Sequence, residues 1–244
     1  MPASSQPADS ATAVARVAAS VRAGILSGAL APGAPLREEA AAAEYGVSRH
    51  TVRAAFQRLV VERLAVAEAY RGVRVASFDR AHVIALQQLR AALEVEAVRI
   101  AGERFGSAWP DEVLAPARAA LDRLEELAID AGDPAPRQAA PGEGQSDAGE
   151  PAPNGDAAVD WLEVERVHAD FHRALVEASA SPRIIETHAA LGSELLLFLL
   201  HVRPHYTLES LIAEHRALLD ELPTRGGEAV REHLEHSTRL LVGA

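Results

Sequence analysis

The stretch EYGVSRHTVRAAF, residues 44–56, interrupts an alanine-rich helical pattern and restarts it at once. Gly46 is well placed to end the first helix, because glycine readily adopts the left-handed conformation found after many helices. Ser48 is well placed as the N-cap of a second helix that we predict to run to about Arg63. The first turn of that second helix is rich in polar donors. The stretch therefore predicts a helix, a tight turn and a second helix.

The sequence on either side extends this pattern into a small domain. Apolar spacing predicts helices at 14–26 and 38–45, and the intervening residues 27–36 carry the glycine and proline of turns. Residues 64–77 alternate apolar and polar side chains around a glycine, which predicts a β-hairpin. Helix, turn, helix and hairpin is the layout of a winged helix-turn-helix domain.

We place this domain at residues 14–77, after a disordered segment at 1–13. In such a domain the second helix of the turn enters the major groove of DNA. Arg49 and Arg53 lie four residues apart on one face, and the helix N-terminus favours an anion such as phosphate. A glycine at the hairpin tip would let the backbone approach the minor groove. The predicted DNA-contacting residues are Arg37, Ser48, Arg49, His50, Thr51, Arg53, Arg71 and Gly72.

The charge distribution supports this interpretation over an ordinary solvated helix face. The whole chain of 244 residues has a formal net charge of −11. Residues 1–78 nevertheless contain nine arginines and six acidic residues, a net charge of +3, so the remainder carries −14. A basic end on an acidic body is suited to binding phosphates at that end only.

The rest of the chain is predicted to be an all-α domain at residues 79–241. Helices are expected at about 79–105, 109–130, 159–179, 181–202, 208–222 and 226–241. Residues 131–158 contain proline, glycine and acidic residues but no large apolar side chain, which predicts a flexible insertion. The predicted fold class is therefore mainly α, with an N-terminal winged helix-turn-helix domain and a C-terminal helical bundle.

Composition also bounds the location and the redox chemistry of the chain. It contains no cysteine, which excludes disulfides and thiolate metal sites. It shows neither the features of a signal peptide nor an apolar run of the roughly 18 residues that a spanning helix requires. We expect a cytoplasmic protein with no membrane partner.

Histidines of the C-terminal domain form a candidate metal site. His168 and His172 lie four residues apart and share a helix face, while His215 and His233 lie on two further predicted helices. Imidazoles from three helices could enclose a divalent metal in a bundle core. The alternative, that these are surface or capping histidines, stays open at this stage.

The segment VRAGILSGALAPGAPLREEAAAAEYGVSRHTVRAAFQRLVVERLAVAEAYRGVRVAS closely resembles the DNA-binding domain of GntR-family bacterial transcription regulators. The resemblance rests on the pattern I-x-x-G-x-L-x-P-G-x-x-L, on G-V-S-R-x-x-V-R-x-A and on the wing motif R-G. It implies that Arg49 and Arg53, with Ser48, His50, Thr51 and Gly72, contact DNA. Two departures are Phe56 in place of leucine and the lack of the glycine that usually ends the recognition helix.

The C-terminal domain resembles the FCD effector domain of one GntR subfamily. HADFHRALVEAS and EHRALLDEL carry the resemblance, together with Arg90, Leu93 and Glu94 in the first helix. Metal-binding members use one aspartate and three histidines. His172, His215 and His233 match the histidines, whereas His168 takes the aspartate position. Asp170 is expected to face away.

This donor set implies a particular metal and effector. Four imidazoles suit Zn²⁺, Ni²⁺ or Cu²⁺ better than Mn²⁺, and we favour zinc or nickel. The short interval after His215 leaves open whether His233 or His236 completes the site. Family effectors are small carboxylic acids, for which Arg90 is a candidate clamp. The alternative is an Arg90 that is paired with Glu94.

These features predict a ligand-responsive transcriptional regulator that binds a pseudo-palindromic operator as a homodimer, and whether it is a repressor or an activator stays open. A regulator that senses only the metal is one alternative. A metal-dependent hydrolase is another, with Glu214 or Asp170 as the only general bases on offer. The DNA-binding domain has no place in an enzyme, so we do not expect one.

Overall fold

The computed structural model describes residues 7–130, 159–202 and 207–242. The predicted insertion at 131–158 lies outside these residues. The elements, in chain order, are α1 (Pro7–Leu26), β1 (Pro35–Leu36), α2 (Glu38–Tyr45), α3 (Arg49–Val61), β2 (Ala65–Glu68), β3 (Gly72–Val75), α4 (Arg80–Phe105), α5 (Asp111–Asp130), α6 (Trp161–Glu177), α7 (Pro182–Ala189), α8 (Gly192–Val202), α9 (Leu208–Arg225) and α10 (Gly227–Val242).

The turn between α2 and α3 forms as the sequence predicts. Gly46 ends α2 in the left-handed conformation, with φ of 63°, and its amide donates to the carbonyl of Ala42. The Ser48 hydroxyl accepts from the amide of Thr51 at 3.1 Å and so caps α3. Val52 and Phe56 are buried on the inner face of α3. Recognition-helix geometry is thus fixed by local caps and by a helical apolar stripe.

The predicted hairpin is confirmed, and it belongs to a three-stranded antiparallel sheet in the order β1-β3-β2. In the hairpin, Ala65 pairs with Val75 and Glu68 with Gly72. The third strand, β1, was not predicted. It contains only two residues, too few for an alternating pattern, and it is held by pairing with β3.

The first helix is longer than the sequence predicts. It begins at Pro7, so residues 7–13, which we expected to be disordered, form its first turns. Residues 1–6 lie outside the described part of the chain. The apolar stripe through Val17, Val21 and Ile25 packs against α3 and is buried.

The C-terminal domain is a helical bundle in which α10 packs along α4 and α5 packs along α6. Most helices match their predicted ranges, but the single helix expected at 181–202 is two helices, α7 and α8. The break precedes Gly192, and glycine weakens a helix interior. Helix α9 continues beyond its predicted end to Arg225. Within the ranges described, no helix is long and apolar enough to cross a membrane.

The two domains share core residues. Leu197 of α8 is buried in the apolar cluster of the winged helix-turn-helix domain, and Leu162 of α6 packs against the same cluster. Beside them, Arg63 Nε lies 3.5 Å from Glu194 Oε2 on α8. Arg63 has φ of 57°, a left-handed conformation that glycine would adopt more easily. This is where the sequence lacks the expected helix-ending glycine.

Candidate functional site

Three buried histidines converge inside the helical domain. His168 and His172 project from α6, and His215 projects from α9. The Nε2 atoms of His168 and His215 are 2.6 Å apart, and His172 Nε2 lies 3.2 Å from each of them. All three nitrogens therefore point at one small volume, as the sequence hypothesis requires.

The amphipathic pattern of α6 produces this convergence. Asp160 caps the helix by accepting from the amides of Leu162 and Glu163. Apolar residues at helical spacing along α6, including Val164 and Phe171, are buried against the bundle core. The histidines four residues apart therefore lie on the inner face. The Phe171 ring packs edge-on against two of the imidazoles, which limits their rotation.

The structure brings His233 rather than His236 to the cluster. The ring centroid of His233 lies 4.5 Å from that of His215 and 5.4 Å from that of His172. His236 is 46% exposed, and its Nε2 lies 3.6 Å from a carboxylate oxygen of Glu214. Asp170 is exposed and accepts from Arg173, so it faces away as expected. His233 is thus the better candidate for a fourth ligand.

Hydrogen bonds on the outer side of the cluster fix the tautomers of two histidines. His215 Nδ1 lies 2.7 Å from the carbonyl oxygen of Leu211, which can only accept, so Nδ1 carries the proton. His172 Nδ1 lies 2.8 Å from Glu94 Oε2 and donates to this carboxylate. In the neutral rings, both Nε2 atoms then present lone pairs to the centre of the cluster.

Two lone pairs 3.2 Å apart repel each other unless a cation lies between them. The third nitrogen, His168 Nε2, can carry one proton, but a single N–H cannot bond fully to both neighbours. Two nitrogens 2.1 Å from one tetrahedral or octahedral zinc ion would be about 3.0–3.4 Å apart. The two separations of 3.2 Å from His172 Nε2 agree with this range, whereas the 2.6 Å between His168 and His215 would have to widen on metal binding. The donor set therefore fits a divalent transition metal, which imidazole ligands prefer over magnesium or calcium.

The electrostatic environment keeps the cluster neutral at physiological pH. Burial lowers the pKa of His168, His172, His215 and His233, and neighbouring imidazoles and Arg90 lower it further. The pKa of His215 falls to about 3. Burial raises the pKa of Glu94, but Arg90 and His172 outweigh it and hold this pKa well below its ordinary range. The cluster thus consists of neutral imidazoles beside one ionised carboxylate.

These pKa values predict an acid-sensitive metal-free protein. The histidines take up protons near pH 6.5 in the unfolded chain but only at lower pH in the folded one. Unfolding below pH 6.5 is therefore coupled to proton uptake. The free energy of unfolding should fall by about 1.4 kcal/mol per pH unit for each such histidine, down to its folded pKa.

Urea unfolding between pH 8 and pH 5 in the presence of a chelator measures this dependence. The stability should be complete above pH 6.5 and decline below it, and His215→Gln should make the decline shallower. His50→Gln, a substitution of the same kind at an exposed position outside the cluster, is the matched control. Equal slopes in wild type and His215→Gln would contradict the prediction.

Arg90, predicted as a clamp for an effector carboxylate, is engaged inside the protein. Its Nε donates to Glu94 Oε1 at 2.9 Å, and its Nη1 donates to Gln87 Oε1 at 3.0 Å. His188 Nε2 also lies 3.1 Å from Glu94 Oε1. The alternative of an Arg90 paired with Glu94 is what the structure shows. Sequence reasoning missed the contact of Glu94 with His172 and that with His188, because both join distant helices.

The N-terminal domain carries the predicted nucleic-acid interface. Arg49, His50 and Arg53 are exposed on α3. Arg53 forms a two-pronged ion pair with Glu38 of α2, with distances of 2.7 and 2.9 Å, and Arg49 lies 3.9 Å from Glu39. Carboxylates of α2 therefore hold the guanidinium of Arg53, and attract that of Arg49 more loosely, when DNA is absent.

The other predicted DNA contacts occupy different environments. Ser48 is exposed at the start of α3, whereas Thr51 is buried and its hydroxyl lies 2.9 Å from that of Ser48. This position gives Thr51 a capping role and removes it from the exposed surface. Arg37 at the N-cap of α2 is exposed, as are Arg71 and Gly72 in the wing.

Comparison with known proteins assigns both domains. Residues 13–75 match the family of bacterial regulatory proteins named gntR, and residues 147–239 match the FCD domain. The chain belongs to the GntR family. It is a DNA-binding transcriptional regulator with an FCD effector domain, not an enzyme, so the hydrolase alternative is wrong. The FCD match does not include α4, which carries Arg90 and Glu94, or α5, although both helices belong to the bundle.

Individual relatives agree with the family assignment. A probable D-xylose utilization operon transcriptional repressor of Paenarthrobacter nicotinovorans is 26% identical over 212 residues, which cover 87% of this chain and 79% of that protein. A putative GntR regulator from Rhodococcus sp. RHA1 is 27% identical, with a TM-score of 0.69 and coverage of 95% and 98%. McbR/YncC of E. coli shares the fold at 20% identity, with a TM-score of 0.59 and coverage of 95% for both chains.

Proposed function

We propose that this GntR regulator binds a pseudo-palindromic operator as a homodimer and releases it in response to a small carboxylic acid. A divalent transition metal in the FCD domain would take part in binding the acid. The convergence of three buried imidazole nitrogens in the same chain as an exposed arginine-bearing helix carries this proposal.

Recognition of DNA would begin with α3 in the major groove. Arg49 and Arg53 can donate two hydrogen bonds each to a guanine edge or bind flanking phosphates. Arg53 would exchange the carboxylate of Glu38 for DNA. Exposed Ser48 and His50 lie beside the helix N-terminus, where a phosphate is favoured. Arg37, Arg71 and Gly72 would contact the backbone on either side of the groove.

The metal would be held by His168, His172, His215 and His233, with zinc or nickel as the best fit to imidazole donors. When bound, such an ion supplies a Lewis-acidic position that a carboxylate oxygen can occupy. Arg90 could serve the same carboxylate either with a guanidinium N–H other than those bonded to Glu94 and Gln87, or by exchanging its bond with Glu94.

The effector domain contacts the DNA-binding domain through α6, the helix that carries two of the proposed metal ligands. Helix α6 carries His168 and His172, packs on α8 and places Leu162 against the DNA-binding core. A ligand that binds one arrangement of α6 more tightly would shift the population of domain orientations. In a dimer, this shift would change the spacing of the two DNA-binding domains. The Paenarthrobacter relative is described as a probable transcriptional repressor, which supports repression as the direction of control.

A second candidate is a regulator for which the metal itself is the signal. The environment of Arg90 favours it, because this guanidinium is buried and already donates to Glu94 and Gln87. In that case metal binding alone would change operator affinity, and carboxylic acids would have no further effect.

Fluorescence anisotropy with fragments of the gene's own upstream region tests the proposal. One fragment should bind at least about 1,000-fold more tightly than a scrambled duplex at the same salt concentration. The complex should contain two chains, with the free protein at twice the 25.9 kDa chain mass by light scattering. Absence of sequence-specific binding to any fragment would count against the operator proposal.

Titration of the same complex separates the two candidates. The chelated and the zinc-loaded protein are compared first, and a panel of small carboxylic acids is then added to each. Release by an acid only in the presence of metal supports the proposal. Release by metal alone, unchanged by every acid, supports the metal sensor.

A further inference from the structure

Among the described residues of the helical domain, Glu94 is the most enclosed ionisable group. Its side chain has no solvent exposure, although it lies on α4, which contributes no predicted metal ligand. An ionised carboxylate in such a place requires several charge-assisted hydrogen bonds, because its transfer from water is otherwise very costly.

Glu94 receives these bonds from three different helices. Arg90 of α4 and His188 of α7 both bond to Oε1, at 2.9 and 3.1 Å. His172 of α6 donates to Oε2 at 2.8 Å. The carboxylate is thus fixed on one side by an arginine and a histidine, and it holds the candidate metal ligand with its other oxygen.

This arrangement determines how His172 faces the cluster. Because Nδ1 donates to Glu94, the lone pair of the neutral ring must lie on Nε2, which is directed at the other two imidazoles. A carboxylate behind a histidine also increases the basicity of the coordinating nitrogen. His215 has a carbonyl oxygen in the same place, which orients its ring without adding a negative charge.

We propose that Glu94 is a positioning residue that sets the metal affinity of the cluster, and that Arg90 and His188 act by holding Glu94 in place. The inference rests on the proposed metal site. It gives Arg90 a role that differs from effector binding. It also supplies the negative charge that is missing from the ligands, where His168 stands in place of an aspartate.

The test is a double substitution, Arg90→Gln together with Glu94→Gln. It removes both charges at once, so that no unpaired guanidinium remains buried. The matched control is Arg63→Gln together with Glu194→Gln, a pair of the same chemistry between the domains. Affinity for Zn²⁺ and Co²⁺ is measured by competition with a chromophoric chelator, and the visible spectrum of bound Co²⁺ reports the ligand field.

The substitution at Arg90 and Glu94 should weaken metal binding by roughly 10- to 100-fold and shift the Co²⁺ spectrum. The control should keep the wild-type affinity and spectrum. An affinity within twofold of wild type in a folded Arg90→Gln/Glu94→Gln protein would overturn the inference. Absence of metal binding by wild type would instead overturn the proposed metal site, so the two failures are distinguishable.

A second variant covers the case in which the double substitution does not fold. Glu94→Asp keeps the charge beside Arg90 but is one methylene shorter, and it should lose the bond to His172. Weakened metal binding in folded Glu94→Asp supports the inference, and wild-type affinity overturns it.

Discussion

Replacing His172 with alanine should remove stoichiometric metal from the purified protein. His172 is the only one of the three convergent imidazoles that lies 3.2 Å from both others and bonds to Glu94 behind it. Binding free energies of about 10–16 kcal/mol for four-ligand zinc sites correspond to roughly 3 kcal/mol per ligand. Loss of one ligand should therefore weaken binding by at least about 100-fold.

Elemental analysis after dialysis against a weak chelator measures the effect. His236→Ala is the matched control, since this histidine lies on the same helix as His233 but pairs with Glu214 instead of the cluster. Wild type and His236→Ala should retain about one ion per chain. Equal metal content in wild type and His172→Ala would rule out the site, and loss of metal in His236→Ala would restore that residue as a ligand.

Replacing Arg49 with alanine should weaken operator binding by about 1–3 kcal/mol at fixed salt while the dimer stays intact. Arg49 lies in the first turn of α3, exposed and restrained only by a distant carboxylate of Glu39 at 3.9 Å. The guanidinium of Arg49 is therefore freer to move than that of Arg53, which must first break its ion pair with Glu38. Removal of Arg49 deletes a donor without leaving a buried group unpaired, so folding should be unaffected.

Anisotropy titrations on operator and scrambled duplexes separate base recognition from phosphate binding. A base contact lowers the affinity for the operator only, whereas a phosphate contact lowers both affinities and reduces the salt dependence. Arg118→Ala provides a control, because Arg118 is a half-exposed arginine paired with Asp111 in the effector domain. Unchanged operator affinity in Arg49→Ala would remove this residue from the interface.

Local sequence signals made the helix-turn-helix of the DNA-binding domain predictable. The stop at Gly46 and the cap at Ser48 depend on residues within one turn, and the structure reproduces both. The strand β1 could not be found in this way, because two residues form it only when β3 is present. Thr51 illustrates a different difficulty, since a hydroxyl at a helix start suits either a phosphate or the cap, and only burial decides.

The members of the histidine cluster were predictable from sequence, but the groups that support them were not. The spacing of His168 and His172 indicated a shared face, and the choice between His233 and His236 required the packing of α10. The role of Arg90 depended on Glu94, His172 and His188, which lie on three helices far apart in sequence. No pattern along the chain reports that such groups meet.

The shared core of the two domains has a practical consequence for any truncated fragment. The sequence places a boundary near residue 78, yet the apolar cluster of the DNA-binding domain is completed by Leu197 and Leu162 from far beyond it. A fragment ending there lacks the fully buried Leu197, a loss comparable with removing a core leucine, which costs about 2–5 kcal/mol. The DNA-binding domain is continuous along the chain, but part of its apolar core is supplied by the helical domain.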